Sequence, residues 1–240
     1  MKIAIVGYGK MGREVVKLSA ELKHEITAIF EINQPLGLQS DLKGAQVIID
    51  FTIQDSVFNN LNIAAKLGIP VVEGTTGWYN HLDDIKSIDN LTLIYSPNFS
   101  IGVYKFTELI RCAARLLAHL EYDCYIHEWH HAGKVDSPSG TAKKLADVLL
   151  KELPHKDKAV FETMHGQIEK NALHVTSTRV GRVPGIHQVG FDSSYDSIQI
   201  MHTAHGREGL ALGALQAAEW IISRKGIFTM DDFMQSISDK

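Results

Sequence analysis

Apolar positions fall into two different rhythms along this chain. Lys2 to Val6 reads as a short strand, and Arg13 to Leu18 has helical spacing. A second strand covers Glu25 to Phe30, and a third, Gln46 to Phe51, is a continuous apolar run suited to a buried parallel sheet. Ser56 to Leu67 predicts a helix, Pro70 to Glu73 a fourth strand and Leu91 to Tyr95 a fifth. Strands alternating with helices predict a doubly wound α/β domain over residues 1–100. The rhythm then changes. Tyr104 to Leu120 predicts a long amphipathic helix, Tyr122 to His127 a strand, and Thr141 to Leu153 another helix with lysines on its outer face. Short alternating segments follow near Lys158 to Glu162, Leu173 to Val180 and Ser197 to His202, between glycine-rich and polar turns. This predicts an α+β domain over residues 101–206 with an open antiparallel or mixed sheet. Glu208 to Ser223, rich in alanine and leucine, predicts a helix that packs back on the first domain, so residues 207–240 are assigned with residues 1–100.

Composition narrows the function classes. Of 240 residues 45% are hydrophobic and 22% charged, which excludes a disordered chain. No apolar stretch approaches the roughly 18–20 residues of a membrane span. The amino-terminal run turns into a glycine loop too early for a signal peptide. A formal charge of −4 with no Lys/Arg-rich face argues against nucleic acid as a partner. Cys112 and Cys124 are too few for a disulfide framework. An intracellular chain is expected, long enough for one large domain or two small ones. Twelve histidines are many for this length, and several are bunched.

The first motif is Gly7-Tyr8-Gly9-Lys10-Met11-Gly12, set between strand and helix. In this dinucleotide fingerprint Gly7 makes the tight turn, Gly9 admits a pyrophosphate, and Gly12 allows close helix–strand packing. The helix amino terminus offers unpaired N–H groups and partial positive charge to the phosphates. Glu31 ends the second strand about 20 residues further on, where an acidic side chain holds the adenosine ribose. Polar loops follow the third, fourth and fifth strands, where such sheets bind ligands. The fold class expected is thus a Rossmann-like doubly wound parallel sheet plus an α+β domain with an open mixed sheet.

The second motif is the run from His127 to Ala142, dense in His, Lys, Ser and Thr. Zinc is the first reading to weigh. His130 and His131 are adjacent rather than four apart, there is no Cys, and no spaced third His lies in the run, so no metal is expected. A polar loop capping a helix is a second reading, but it leaves the crowding of histidines unexplained. The third is an anion and proton-transfer site. Ser139-Gly140-Thr141 precedes a helix whose N–H groups and hydroxyls can hold a carboxylate, while Lys134 and the imidazoles supply charge and protons.

The run from Glu128 to Ala142, E-x-H-H-x-x-K-V-D-S-P-S-G-T-A, resembles the signature of the dihydrodipicolinate reductase family. The glycine loop, Asp50-Phe51-Thr52, Gly74-Thr75-Thr76-Gly77 and Pro97 to Val103 are similar to that family's cofactor-side motifs, in the same order. The resemblance implies reduction of 4-hydroxy-tetrahydrodipicolinate by NADH or NADPH on the diaminopimelate route to lysine. It implies His130 as proton donor and acceptor and Lys134 as the acid that protonates the ring. It implies His131, Ser139, Gly140 and Thr141 as binders of a small dicarboxylate substrate. It further implies cofactor contacts at residues 7 to 12, Glu31, Phe51, Thr52, Gly74, Thr75, Thr76, Ser96, Pro97, Asn98 and Phe99, and a homotetramer.

Ile32 follows the ribose-binding acid where NADPH-dependent members of the family often carry Arg, so NADH is the expected cofactor. A related two-domain dehydrogenase acting on aspartate or homoserine is an alternative that leaves the P-S-G-T loop without a role. A nucleotide sensor is another, and it has no use for His130 and Lys134.

Overall fold

A computed structural model describes residues 1–238, and the chain divides into two compact units. Asp239 and Lys240, the end of the expected first domain, lie outside the described residues. The first unit comprises Met1–Ser100 and the chain from Arg207, and the second Ile101–Gly206.

The first unit begins β1 (Lys2–Val6), α1 (Lys10–Glu21), β2 (Glu25–Phe30), β3 (Val47–Asp50), α2 (Gln54–Leu67), β4 (Val71–Glu73), a helix of one turn α3 (Leu82–Lys86) and β5 (Leu93–Tyr95). The second contains α4 (Ile101–Leu117), β6 (Asp123–His130), α5 (Gly140–Glu152), β7 (Lys158–Val160), β8 (Ala172–Arg179), β9 (Ile186–Asp192) and β10 (Ser197–Thr203). The chain returns to the first unit as α6 (Glu208–Ile221), β11 (Ile227–Thr229) and α7 (Met230–Ser238).

In the first unit all strand pairs are parallel, in the order β11-β5-β4-β3-β1-β2. The central strands are buried on both faces, with Ile3, Ile5, Ile49, Val72 and Leu93 at 0% exposure. That is why they read as continuous apolar runs rather than alternating ones. α6 packs against α1 and the backs of β3, β4 and β5, and its inward stripe of Ala211, Gly213, Ala214, Ala217 and Ala218 explains the close approach. β11 adds a sixth strand beside β5 that the periodicity did not reveal, because three residues carry no pattern.

The second sheet runs β10-β9-β6-β8-β7, antiparallel from β10 to β6 and parallel from β6 to β7. It is a mixed sheet, with one face on the core formed by α4 and α5. Two elements differ from the sequence expectation. β6 continues to His130 rather than stopping at His127, and β9 went unseen. In both, some inward positions are polar or histidine, so hydrophobic periodicity has nothing to register there.

The glycine loop is built as its spacing requires. Gly7 has φ +90°, and a Cβ there would lie 2.5 Å from the Phe51 carbonyl oxygen. A Cβ on Gly12 would collide with the Gly7 carbonyl oxygen, whereas one on Gly9 would meet nothing within 4 Å. Gly12→Ala is therefore expected to lower stability by about 1–3 kcal/mol through overpacking. Gly9→Ala should leave the thermal midpoint nearly in place and weaken dinucleotide binding instead. Thermal denaturation of both variants separates the two roles, and equal midpoints would contradict this account.

Candidate active site

In the first unit, seven of the expected cofactor residues come together. Lys10, Met11, Phe51, Thr52, Gly74, Thr75 and Thr76 line one open cleft of about 560 Å³ at the carboxyl ends of β1, β3 and β4. Gly9 is the N-cap of α1 and no side chain caps that end, so the first-turn N–H groups are free to meet an anion. Gly7 N–H donates to the Phe30 carbonyl at 2.9 Å, which draws the end of β2, and with it exposed Glu31, alongside the loop. Glu31 and Gln34 exchange backbone hydrogen bonds of 3.1 and 3.0 Å in a tight turn. Tyr8 carries Arg13: the Arg13 Nε donates to the Tyr8 carbonyl at 3.2 Å and the guanidinium lies 5.1 Å from the ring centroid.

The segment after β5 is arranged differently. Ser96 Oγ donates to the Asn98 carbonyl at 2.7 Å, and the Asn98 carboxamide oxygen accepts from Ser100 N at 2.8 Å. Phe99 is 1% exposed, with its backbone against Gly213 of α6. Its ring belongs to the core. Ser96 is also buried, and Pro97 and Asn98 are the more open members of the group. None of Ser96 to Phe99 lines the cleft described above.

In the second unit, the extension of β6 decides the geometry. Strand alternation puts Glu128 and His130 on the core face and His127 and Trp129 on the opposite face. Register then brings His187 of β9 opposite Glu128, with Ser177 opposite Glu128 and Arg179 opposite His130 on β8. Glu128 is 0% exposed. Its Oε1 accepts from Ser139 N at 3.0 Å, Ser177 Oγ at 2.8 Å and Arg179 Nη2 at 2.8 Å. Its Oε2 faces His130 Nε2 and His187 Nε2, each at 3.4 Å, long for a hydrogen bond and within ion-pair range when a ring is protonated. The two rings meet edge to face, 5.2 Å apart. Burial alone would raise the Glu128 carboxyl, but the facing His130 and His187 rings and the donors on Ser139 and Arg179 outweigh burial and hold it well below the ordinary carboxylate range.

Loop and helix follow from that anchor. Arg179 Nη2 also donates to the Asp136 carbonyl at 2.7 Å, tying the loop to the sheet. Lys134 Nζ donates to Asp136 Oδ1 at 2.6 Å. Burial would raise the Asp136 carboxyl, and the Lys134 ammonium overrides it and holds the group low. Ser139 is the N-cap of α5: its Oγ accepts from Ala142 N at 3.2 Å and contacts His187 Nε2 at 3.2 Å. The Ser139 hydroxyl is thus turned inward at 4% exposure, unlike the substrate contact expected of it. Gly140 and Thr141 at the helix start have no backbone acceptor among the described residues, which leaves their N–H groups for an anion. His131 is partly exposed just beyond β6, with its ring over Gly133.

Sequence reasoning missed Arg179, Ser177 and His187. The alternation of His187, Val189 and Phe191, at 4%, 0% and 1% exposure, was the available signal for β9. His187 is also the spaced third histidine whose absence counted against zinc. Glu128, His130 and His187 present ligand-type atoms within 4.8 Å of one another. The Glu128 charge is already matched by Arg179, so the cluster holds together as a hydrogen-bonded ion network without a cation.

Comparison with known proteins adds to this geometry. Residues 1–99 match the family model for the dihydrodipicolinate reductase N-terminus, and residues 102–234 match that for its C-terminus. A 4-hydroxy-tetrahydrodipicolinate reductase from Christiangramia forsetii is 37% identical, covering 99% of both chains. One from Archaeoglobus fulgidus is 36% identical over 98% of this chain and 100% of its own. Among solved structures, dipicolinate-bound dihydrodipicolinate reductase from Paenisporosarcina sp. TG-14 has the same fold, with a TM-score of 0.72 at 22% identity over 95% of this chain and 97% of that one. No helix among the described residues is long and apolar enough to cross a membrane. With both halves of the chain matched in order and relatives aligned end to end, the chain belongs to the dihydrodipicolinate reductase family.

Proposed function

We propose that the chain reduces 4-hydroxy-tetrahydrodipicolinate to tetrahydrodipicolinate with a nicotinamide dinucleotide, a step of the diaminopimelate route to lysine. The observation that carries this reading is the anchoring of His130 and the Ser139 backbone on the two oxygens of one buried carboxylate, Glu128. One side chain thereby sets a proton-carrying imidazole beside a helix start that can hold an acid group. The relatives named above carry the same activity in their names.

The cofactor fits the first unit. The uncapped start of α1, the open approach at Gly9 and the cleft beside Phe51 and Gly74 suit a dinucleotide, with the pyrophosphate on residues 7 to 12 and the ribose on Glu31. Bound there, the nicotinamide supplies a hydride. Loss of the 4-hydroxyl as water would leave a conjugated imine; a hydride added to it would build negative charge on the far atom, and the His130 imidazole and the Lys134 ammonium would hold the protons that meet it. His131 and the Gly140 and Thr141 N–H groups bind the substrate carboxylates. The Asp136 carboxylate keeps Lys134 on its loop until substrate charge competes for it. The same reading makes the assembly a homotetramer in the cytoplasm.

NADH is the favoured cofactor. A 2′-phosphate would meet Glu31, and Arg13, the nearest arginine in sequence, is already held on Tyr8. Glu31→Ala is expected to weaken NADH more than NADPH in steady-state KM; the opposite order would reverse the assignment. The reading as a whole is tested by a coupled assay in which the condensation product of pyruvate and aspartate semialdehyde is made in place. Oxidation of NADH that depends on that product is the expected result. Binding of NADH without turnover would favour a sensor and overturn the proposal.

A further inference from the structure

Beneath the cleft of the first unit lies a pair of carboxyl groups that the chemistry above does not use. Asp50 and Glu73 end β3 and β4, stand opposite one another in register, and are both 0% exposed. Their hydrogen bonds are unequal. Asp50 Oδ1 accepts from Thr52 N and Oδ2 from the Asn60 carboxamide, both at 2.8 Å, so both its oxygens act as acceptors. Glu73 Oε1 accepts from Thr75 N at 2.7 Å, while Oε2 is buried with no donor. Register makes Asp50 and Glu73 same-face neighbours on adjacent strands, which lie about 4.8 Å apart, so the two carboxyls share one buried space. Two acceptors make no hydrogen bond unless one of them carries a proton.

We propose that Glu73 is a neutral carboxylic acid that donates its Oε2 proton to the Asp50 carboxylate, and that this shared proton is the clamp holding the two cofactor loops in place. Every donor named above is neutral: two backbone N–H groups and one carboxamide. The register neighbours are Val6 beside Asp50 and Tyr95 beside Glu73, and α6 turns only Ala, Gly, Leu and Ile inward. Tyr79 is a further titratable group beside Glu73, its phenol pushed up to about 12, chiefly by burial. Two unbalanced charges in such a dry site would repel strongly, so one of them is neutralised. Burial raises both carboxyls, and the neighbouring Asp50 charge raises Glu73 further.

The clamp acts on the cleft through backbone. Asp50 holds Thr52 N, Glu73 holds Thr75 N, and Gly74 N donates to the Asp50 carbonyl at 2.9 Å. The Phe51 ring lies where a Cβ on Gly74 would sit, so the two loops are also in contact. Glu73 is a positioning residue, and its effect on cofactor affinity rests on the proposed binding of a dinucleotide in this cleft.

The test has two arms. Infrared difference spectroscopy of the cofactor-free protein at neutral pH is expected to find one protonated-carboxyl carbonyl band that shifts in D2O and is absent in Glu73→Gln. No such band, or a band that survives in Glu73→Gln, would overturn the proposal whatever the cleft binds. In the second arm, dissociation constants for NADH compare Glu73→Gln with Glu73→Leu. The amide keeps a donor and an acceptor, whereas Leu leaves the Thr75 N–H without its acceptor and removes from Asp50 the proton that Glu73 offers. The amide variant is expected to bind NADH about tenfold more tightly than the leucine variant. Equal affinities in the presence of the band would overturn the clamp and leave the neutral acid standing. Loss of NADH binding by the unmodified protein would instead overturn the cofactor reading. The spectroscopic arm needs only the unmodified protein and the isosteric variant, so it decides the protonation state even if the leucine variant does not fold.

Discussion

Alanine at His130 or at Lys134 is expected to lower turnover of the condensation product by about 10²–10⁴, the usual contribution of one general acid or base. NADH binding should persist in both, because neither side chain belongs to the unit that carries the glycine loop. The two variants should differ in a second respect. His130 is 8% exposed and packs edge to face on His187, so its removal opens a small cavity and lowers stability as well as rate. Lys134 sits in an exposed loop with Asp136 as its partner, and surface pairs of this kind contribute little to folding. Lys134→Ala should therefore lose activity at nearly unchanged thermal midpoint. Steady-state rates, NADH fluorescence titration and thermal melts read all three quantities. Full turnover in both variants would end the assigned proton chemistry.

Glu128→Ala is expected to be the most destabilising substitution in the second unit. It takes the counter-charge from Arg179 and the acceptor from the Ser139 N–H and the Ser177 hydroxyl at once, and breaking a buried ion pair from one side costs about 3–5 kcal/mol. Glu128→Gln keeps an oxygen for those donors and should lose less stability. It should still lose activity, because the imidazole of His130 no longer faces a fixed negative charge. The pH dependence separates charge from shape. A carboxyl held below its ordinary value of 4.5 contributes stability that is fully present above that value and is lost as pH falls through the folded value. Acid unfolding of the unmodified protein should thus steepen below about pH 4.5, and Glu128→Gln should flatten that limb. Thermal midpoints between about pH 3 and 7 measure it, and parallel curves for the two proteins would mean that the carboxylate charge is not what holds the network.

Much of the first unit was legible in the chain because its signals are local. A β-branched run, three glycines and a helix lie within twenty-one residues, and Gly12 packs on the Gly7 carbonyl of the same turn. The Ser139-Gly140-Thr141 helix start was legible for the same reason: a cap and its N–H groups are sequence neighbours. Reading failed where inward positions are polar. Glu128 and His130 face the core, yet in a hydrophobicity pattern they look like loop, and β6 was cut short at His127.

The sequence by itself determined the βαβ order, the glycine turn, the proton-bearing run from His130 to Lys134 and the family resemblance that joins them. Only the tertiary structure decided that Glu128 faces His187, Ser177 and Arg179, and that Asp50 faces Glu73. Those pairings depend on strand register, and a shift of one residue would turn every one of those side chains to the other face of the sheet. Register is set by packing across the whole sheet, between residues that lie far apart along the chain, so no window of sequence contains it.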